Sequence, residues 1–135
     1  IFENEFKKIA DIQQIDVYKY GNLIRNHSSL LPGGANINFV KIIDDNTIRI
    51  RTYERGVEDE TLACGTGSIA SAIVSSINYN LKKPLRILTQ GGEIFIVNFV
   101  LNYNIIEKIS LEGSAILVFD GICNYNEYNN ELNSY

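Results

Sequence analysis

At 135 residues the chain has room for one domain and is cramped for two full ones. Hydrophobic residues at 45% and charged residues at 21% are ordinary for a globular protein and exclude a disordered chain. A net charge of −4 without a basic run offers phosphates no footprint, and apolar stretches interrupted every few residues by Asn, Lys or Glu do not span a bilayer.

The first residues, Ile1 and Phe2, read as the end of a strand whose beginning is missing. With no Met anywhere, the chain reads as a piece of something longer. No basic segment followed by an apolar one opens it, so no secretory signal is visible. The stretch 11–27 is helical in pattern, with Asp16 as N-cap and Val17, Tyr20, Leu23 and Ile24 on one face, while Gly21 weakens the helix. Leu31-Pro32-Gly33-Gly34 is a turn by composition. Two strands follow, 36–43 and 47–53, joined by Asp44-Asp45-Asn46; the second alternates Ile48 and Ile50 against Arg49 and Arg51, as a half-buried strand does.

Residues 54–63 are polar and irregular, and Glu58, Asp59 and Glu60 read as a solvated acidic run. From 65 to 78 the pattern is a helix apolar or small nearly all round, which implies burial on most sides. A hairpin is expected from 84–89 and 93–101 around Gln90-Gly91-Gly92, and a second from 105–111 and 115–119 around Glu112-Gly113-Ser114. The Asn- and Tyr-rich tail 124–135 lacks periodicity and reads as frayed. Strands, one buried helix, then hairpins make the fold class α+β, mostly antiparallel rather than βαβ.

The chemistry concentrates where Cys64 precedes the Gly-rich start of the buried helix. The first N–H groups of a helix lack internal partners, and with the macrodipole they form an anion site suited to a carboxylate. Gly65 and Gly67 would let the backbone approach a ligand. The same end of the helix favours a thiolate, which would make Cys64 competent as a base or nucleophile. A lone cysteine in an apolar context is otherwise a small buried hydrophobe. Gly65, Gly67 and Ala70 formally match a dinucleotide fingerprint, but a polar loop precedes them and a hairpin follows. Glu54 and Arg55 form either a surface ion pair or a clamp for a zwitterion. The single histidine, His27, reads as solvated or capping, and Cys123 as structural. Two cysteines make neither a disulfide framework nor a metal-spaced pair, which fits a reducing, cytoplasmic setting.

Three motifs occur in order: Pro32-Gly33-Gly34-Ala35-Asn36-Ile37-Asn38-Phe39, then Ile48-Arg49-Ile50-Arg51-Thr52-Tyr53-Glu54-Arg55-Gly56, then Glu60-Thr61-Leu62-Ala63-Cys64-Gly65-Thr66-Gly67. In these the chain resembles diaminopimelate epimerase, and specifically its C-terminal half, over residues 1 to about 122. The resemblance implies a domain of mostly antiparallel strands wrapped around a central buried helix, with 123–135 a flexible tail outside it. It implies interconversion of LL- and meso-diaminopimelate, in lysine biosynthesis, with no cofactor: neither pyridoxal phosphate nor metal.

In that family two cysteines face each other across the substrate α-carbon, one taking the proton and the other returning it. Carried over, Cys64 matches the second of these, and Gly65 and Thr66 match N–H donors to the reacting carboxylate. Glu54 matches the contact to the substrate amine, while Asn36 and Arg55 match groups that hold the substrate, Arg55 by a carboxylate. The family's first cysteine belongs to an N-terminal half that would lie upstream of Ile1, so the implied partner is the N-terminal domain of the same protein. The fragment alone is then expected to be inactive. A homodimer bringing Cys64 to Cys64 is a second way to complete the site. A racemase of another amino acid and a non-catalytic amino-acid-binding domain are the alternative functions.

Overall fold

The computed structural model describes residues 1–2, 11–103, 105–122, 124–126 and 131–133. Strand β1 (Ile37–Ile42) runs antiparallel to β2 (Thr47–Glu54) around the Asp44-Asp45-Asn46 turn, with Ile37 opposite Tyr53 and Ile42 opposite Ile48. The turn closes because Asp44 Oδ1 accepts the Asn46 N–H at 3.0 Å, the local bond that makes Asp a turn former. A short β3 (Asp59–Thr61) folds back on β2, and helix α2 (Gly65–Tyr79) follows. Then β4 (Leu85–Leu88), β5 (Ile94–Asn102) and β6 (Ile105–Glu112) complete a six-stranded sheet in the order β1-β2-β4-β5-β6, with β3 beside β2.

The fold is therefore α+β and mostly antiparallel, as the sequence implies, with one correction. Strand β4 lies parallel to β2, pairing Thr47 with Arg86, so the path through α2 is a crossover and not a step into a hairpin alone. The hairpin of β4 and β5 around Gln90-Gly91-Gly92 is present. The second expected hairpin is not: β6 pairs with β5, while 113–122 carries no strand and Ile116, Leu117, Val118 and Phe119 are exposed. Phe2 makes a single parallel bridge to Val40. The frayed-tail expectation falls largely on residues outside those described; Asn124–Asn126 (β7) and Glu131–Asn133 (β8) pair antiparallel.

Helix α1 (Val17–Arg25) starts where expected, since Asp16 Oδ1 accepts the Lys19 N–H at 3.0 Å. It covers one face of the sheet, where Ile12, Ile15, Val17, Ile37, Phe39 and Tyr53 form a core. Gly21 has a packing role as well: a Cβ on it would overlap the Tyr53 ring and its Cβ. Helix α2 covers the other face, touching β1, β2, β4 and β5, and Val40, Ile48, Ile50, Ala72, Leu85, Ile87, Val97 and Phe99 fill that core.

Strand β2 is thus covered on both faces, which corrects the half-buried reading; even Arg51 is buried. Helix α2 is correspondingly less enclosed than its apolar sequence suggests. It buries Gly67, Ser68, Ser71, Ala72 and Ser75, while Val74 and Ile77 are 41% and 54% exposed. Small residues let the helix lie close on the sheet, Ile69, Ile73 and Tyr79 pack against the same core, and Val74 and Ile77 point away from it.

Candidate functional site

Backbone geometry at the start of α2 fixes the site. Cys64 is the N-cap, extended at φ −132° and ψ 110°, and its carbonyl accepts the first intrahelical bond from Ser68 N–H at 2.9 Å. The Ser68 hydroxyl donates to the same carbonyl at 2.8 Å. Cysteine here takes the place usually held by Ser, Thr, Asp or Asn, with Sγ accepting the Gly67 N–H at 3.4 Å. The Gly65 and Thr66 N–H groups ahead of it have no intrahelical acceptor, and both residues are exposed.

Two more polar atoms close on the sulfur: Asn36 Nδ2 donates to Sγ at 3.6 Å, and Thr66 Oγ1 lies 3.5 Å from it. Cys64 is 4% exposed, so the sulfur sits beneath the surface among hydrogen-bonding groups instead of apolar neighbours alone. Asn36 also reaches the other way, its Oδ1 accepting the Arg55 backbone N–H at 2.8 Å. One carboxamide therefore ties the cysteine to the loop that carries Arg55. The Arg55 guanidinium donates to the Gly33 carbonyl at 3.2 Å and leaves further donors at the surface.

These residues border a groove of about 380 Å³ lined by Gly34, Ala35, Asn36, Asn38, Arg55, Thr66, Gly67 and Ala70. A neighbouring groove of about 210 Å³ shares Asn36, Asn38 and Ala70 and runs on along α2 past Val74, so the two form one trough. Of the residues singled out by sequence, the fold brings together Asn36, Arg55, Cys64, Gly65 and Thr66. Glu54 ends β2 half-buried, outside the groove lining and without a side-chain partner among the described residues; it forms no ion pair with Arg55.

Gly67 lines the groove and has a further use that was not expected: it is buried, and a Cβ there would overlap Asn38 Oδ1, so its missing side chain also makes room for a strand residue. Asn38 itself is the site residue that the sequence reading passed over. It lines the groove, and its Oδ1 accepts the Thr52 hydroxyl at 2.8 Å from the position directly opposite. The signal was present in the period of two, since Asn38 lies two residues beyond Asn36 and so points to the same side.

The acidic run is exposed at Glu58 and Asp59, as expected, but two of its carboxylates are paired. Glu60 meets Arg51 in a two-pronged pair at 2.7 and 2.6 Å, and Glu58 meets Arg25 at 2.8 and 2.6 Å. The Arg25 guanidinium, with the Gly56 N–H, holds the Glu58 carboxyl down to about 2. His27 caps the 3₁₀ turn Ser28–Leu30, its Nδ1 2.8 Å from Ser29 Oγ. Cys123 lies outside the described residues. Among the described residues no group of three His, Cys, Asp or Glu side chains gathers as a metal site, and no helix is long and apolar enough to cross a membrane.

The family model for diaminopimelate epimerase matches residues 2–115. The chain is 44% identical over 114 residues to diaminopimelate epimerase from Aquifex aeolicus, covering 84% of this chain and 40% of that protein. It is 40% identical over 114 residues to the Chlorobaculum tepidum enzyme of the same name, covering 84% and 43%, and 39% identical over 119 residues to that of Archaeoglobus fulgidus, covering 87% and 39%. A phenazine biosynthesis protein of the PhzF family from Bacillus anthracis superposes with a TM-score of 0.43 at 23% identity, over 65% of this chain and 26% of that one. The chain spans about two-fifths of the length of the curated relatives it matches.

Proposed function

Since the chain belongs to the diaminopimelate epimerase family, we propose that it supplies one half of an epimerase site acting on LL- and meso-diaminopimelate. The observation that carries this reading is the linked set Cys64–Asn36–Arg55 at the mouth of α2. Abstracting the α-proton of an amino acid leaves a carbanion whose charge spreads into the carboxylate. A preorganised donor aimed at such charge is typically worth about 2.7–4 kcal/mol. Gly65 and Thr66 present two free N–H groups at a helix N-terminus, which suits them to that carboxylate.

Cys64 then acts as the thiolate base on one face of the α-carbon. Its Sγ takes the proton, the electron pair stays on the substrate, and a second cysteine from the other half returns a proton to the opposite face. Asn36 and Arg55 hold the substrate, Arg55 by the distal carboxylate. Glu54 meets the substrate amine once the site is closed. The chemistry needs no cofactor in this reading.

The other half is the N-terminal domain of the same protein, seated along the trough beside α2 and on the apolar run at 116–119. Support comes from exposure: Ile116, Leu117, Val118 and Phe119 are each more than 80% exposed, an apolar patch that a stable domain covers.

The test is α-proton exchange of LL-diaminopimelate in D₂O, followed by NMR. A chain extended upstream to two domains should exchange and epimerise, and Cys64→Ala should remove both by at least about 10³-fold. Full exchange by Cys64→Ala would sink the reading. The isolated chain should be silent. Exchange by it that depends on Cys64 would instead favour two copies placing Cys64 against Cys64.

A further inference from the structure

We propose that Arg25 and Glu58 are positioning residues that set the reach of Arg55 and Asn36 into the groove; the proposal rests on the reading that those two hold substrate. Neither Arg25 nor Glu58 lines the groove. They act on the two loops that do.

Arg25 ends α1, and its Nε donates to both carboxylate oxygens of Glu58 at 2.8 and 2.6 Å, while an Nη lies 2.6 Å from Oε1. Its other Nη occupies the place a Cβ on Gly34 would take, against a backbone turned to φ +62°. One guanidinium therefore touches both the loop entering Asn36 and the turn that leaves Arg55. Because Arg is planar and forked, it can fix two directions at once, which a Lys cannot.

Glu58 passes the constraint on. Its Oε1 accepts the Gly56 N–H at 2.9 Å, its own N–H donates to the Glu54 carbonyl at 2.8 Å, and the Tyr53 hydroxyl lies 3.4 Å from Oε2. That hydroxyl accepts from Asn22 Nδ2 at 3.0 Å, so the turn is tied to α1 at a second point. Glu58 holds φ +61°, a backbone region that residues other than Gly rarely adopt. The turn 55–58 is thus shaped around its carboxylate. Across this grip run the two bonds that place the substrate contacts: Arg55 N–H to Asn36 Oδ1 at 2.8 Å and Arg55 Nη1 to Gly33 O at 3.2 Å.

The experiment uses the chain itself, with Arg25→Gln, Arg25→Lys and Glu58→Gln. Amide hydrogen exchange by NMR should show protection at Arg55 falling at least about tenfold in Arg25→Gln and Glu58→Gln, with β4 and β5 unchanged. Arg25→Lys should recover less than half of that protection. Unchanged protection at Arg55, full recovery with Lys, or an equal fall throughout the sheet would overturn the proposal.

Titration with meso-diaminopimelate, in the parent chain extended upstream to two domains and in its variants, is the second arm. Shifts at Arg55 and Asn36 in the parent chain, weakened at least about fivefold in the variants, support both the positioning role and the substrate-holding role. Absence of shifts in the parent chain would reject substrate holding, while the exchange data still decide the positioning.

Discussion

On the α1 face of the sheet, charge is buried in partnered sets. Arg51 is 8% exposed, forks onto Glu60, and spends Nη1 on the carbonyls of Ile12, Gln13 and Ile15 at 3.1, 3.2 and 2.8 Å. On the α2 face the polar groups that the helix buries are small and neutral, and the hydroxyls of Ser71 and Ser75 have no hydrogen-bond partner among the described residues. The site residues belong to the second face, yet what fixes their loops comes from the first. A helix lying close on a sheet through small side chains can present its N-terminus to a groove. It cannot also brace the loops around that groove, and the arginines on the far side do so.

The largest expected effect tests the buried charge. Removing one partner of a buried pair typically costs about 3–5 kcal/mol, because the other is left uncompensated. Arg51→Ala should therefore lose about that much in urea unfolding, with three backbone carbonyls and Glu60 orphaned together. A loss near that of a surface substitution would mean that the α1 face owes its order to its apolar core alone.

A second test asks whether close approach is special to α2. Gly21→Ala forces a Cβ into the fully buried Tyr53, and overpacking of this kind costs about 1–3 kcal/mol. The same denaturation series reads it. A neutral result would show that α1 can slide on the sheet, and with it the Asn22 and Arg25 contacts.

Much of this was legible in the sequence wherever the cause is local. The Asp16 cap, the Asp44-Asp45-Asn46 turn and the Gly-rich start of α2 each act within four residues, and each stands where the pattern puts it. The parallel pairing of β2 with β4 spans a helix and has no local signature. The acidic run misled for the same reason: Glu58 finds Arg25 across 33 positions, and Arg51 finds the carbonyls of Ile12, Gln13 and Ile15 across 36 to 39. The apolar run at 116–119 pointed to a strand, yet β6 pairs with β5 on one side and ends the sheet on the other, and nothing local in the run shows that this open edge stays unpaired. At the site, Cys64, Asn36 and Arg55 were readable as a motif; Asn38 stands in the same motif two residues from Asn36, but its role depends on Thr52 opposite and Gly67 above.

Ser75 sharpens the other side of the comparison. Its hydroxyl is fully buried and has no partner among the described residues, and such a group costs about 1–3 kcal/mol of desolvation that no bond returns. Ser75→Ala keeps the close approach and removes the stranded oxygen, so stability should rise by up to about 1 kcal/mol. A loss would mean that the hydroxyl is bonded within the fold after all.

The smallest effect belongs to Glu58, because solvent screens a pair at the surface. Its carboxyl is held at about 2 in the fold, against 4.5 as the ordinary value, chiefly by the Arg25 hydrogen bonds and the Gly56 N–H. A lowered carboxyl pKa stabilises the fold fully above the ordinary value. That contribution is lost as pH falls from about 4.5 towards about 2, where the folded form too takes up the proton. Comparing acid unfolding of the parent with Glu58→Gln isolates this contribution: the two curves should converge as the parent's carboxyl protonates, and separate above pH 4.5. If the difference persisted unchanged at the acid end, the Arg25 pair would owe its strength to packing of the fork on Gly34, and the brace on Arg55 would survive protonation.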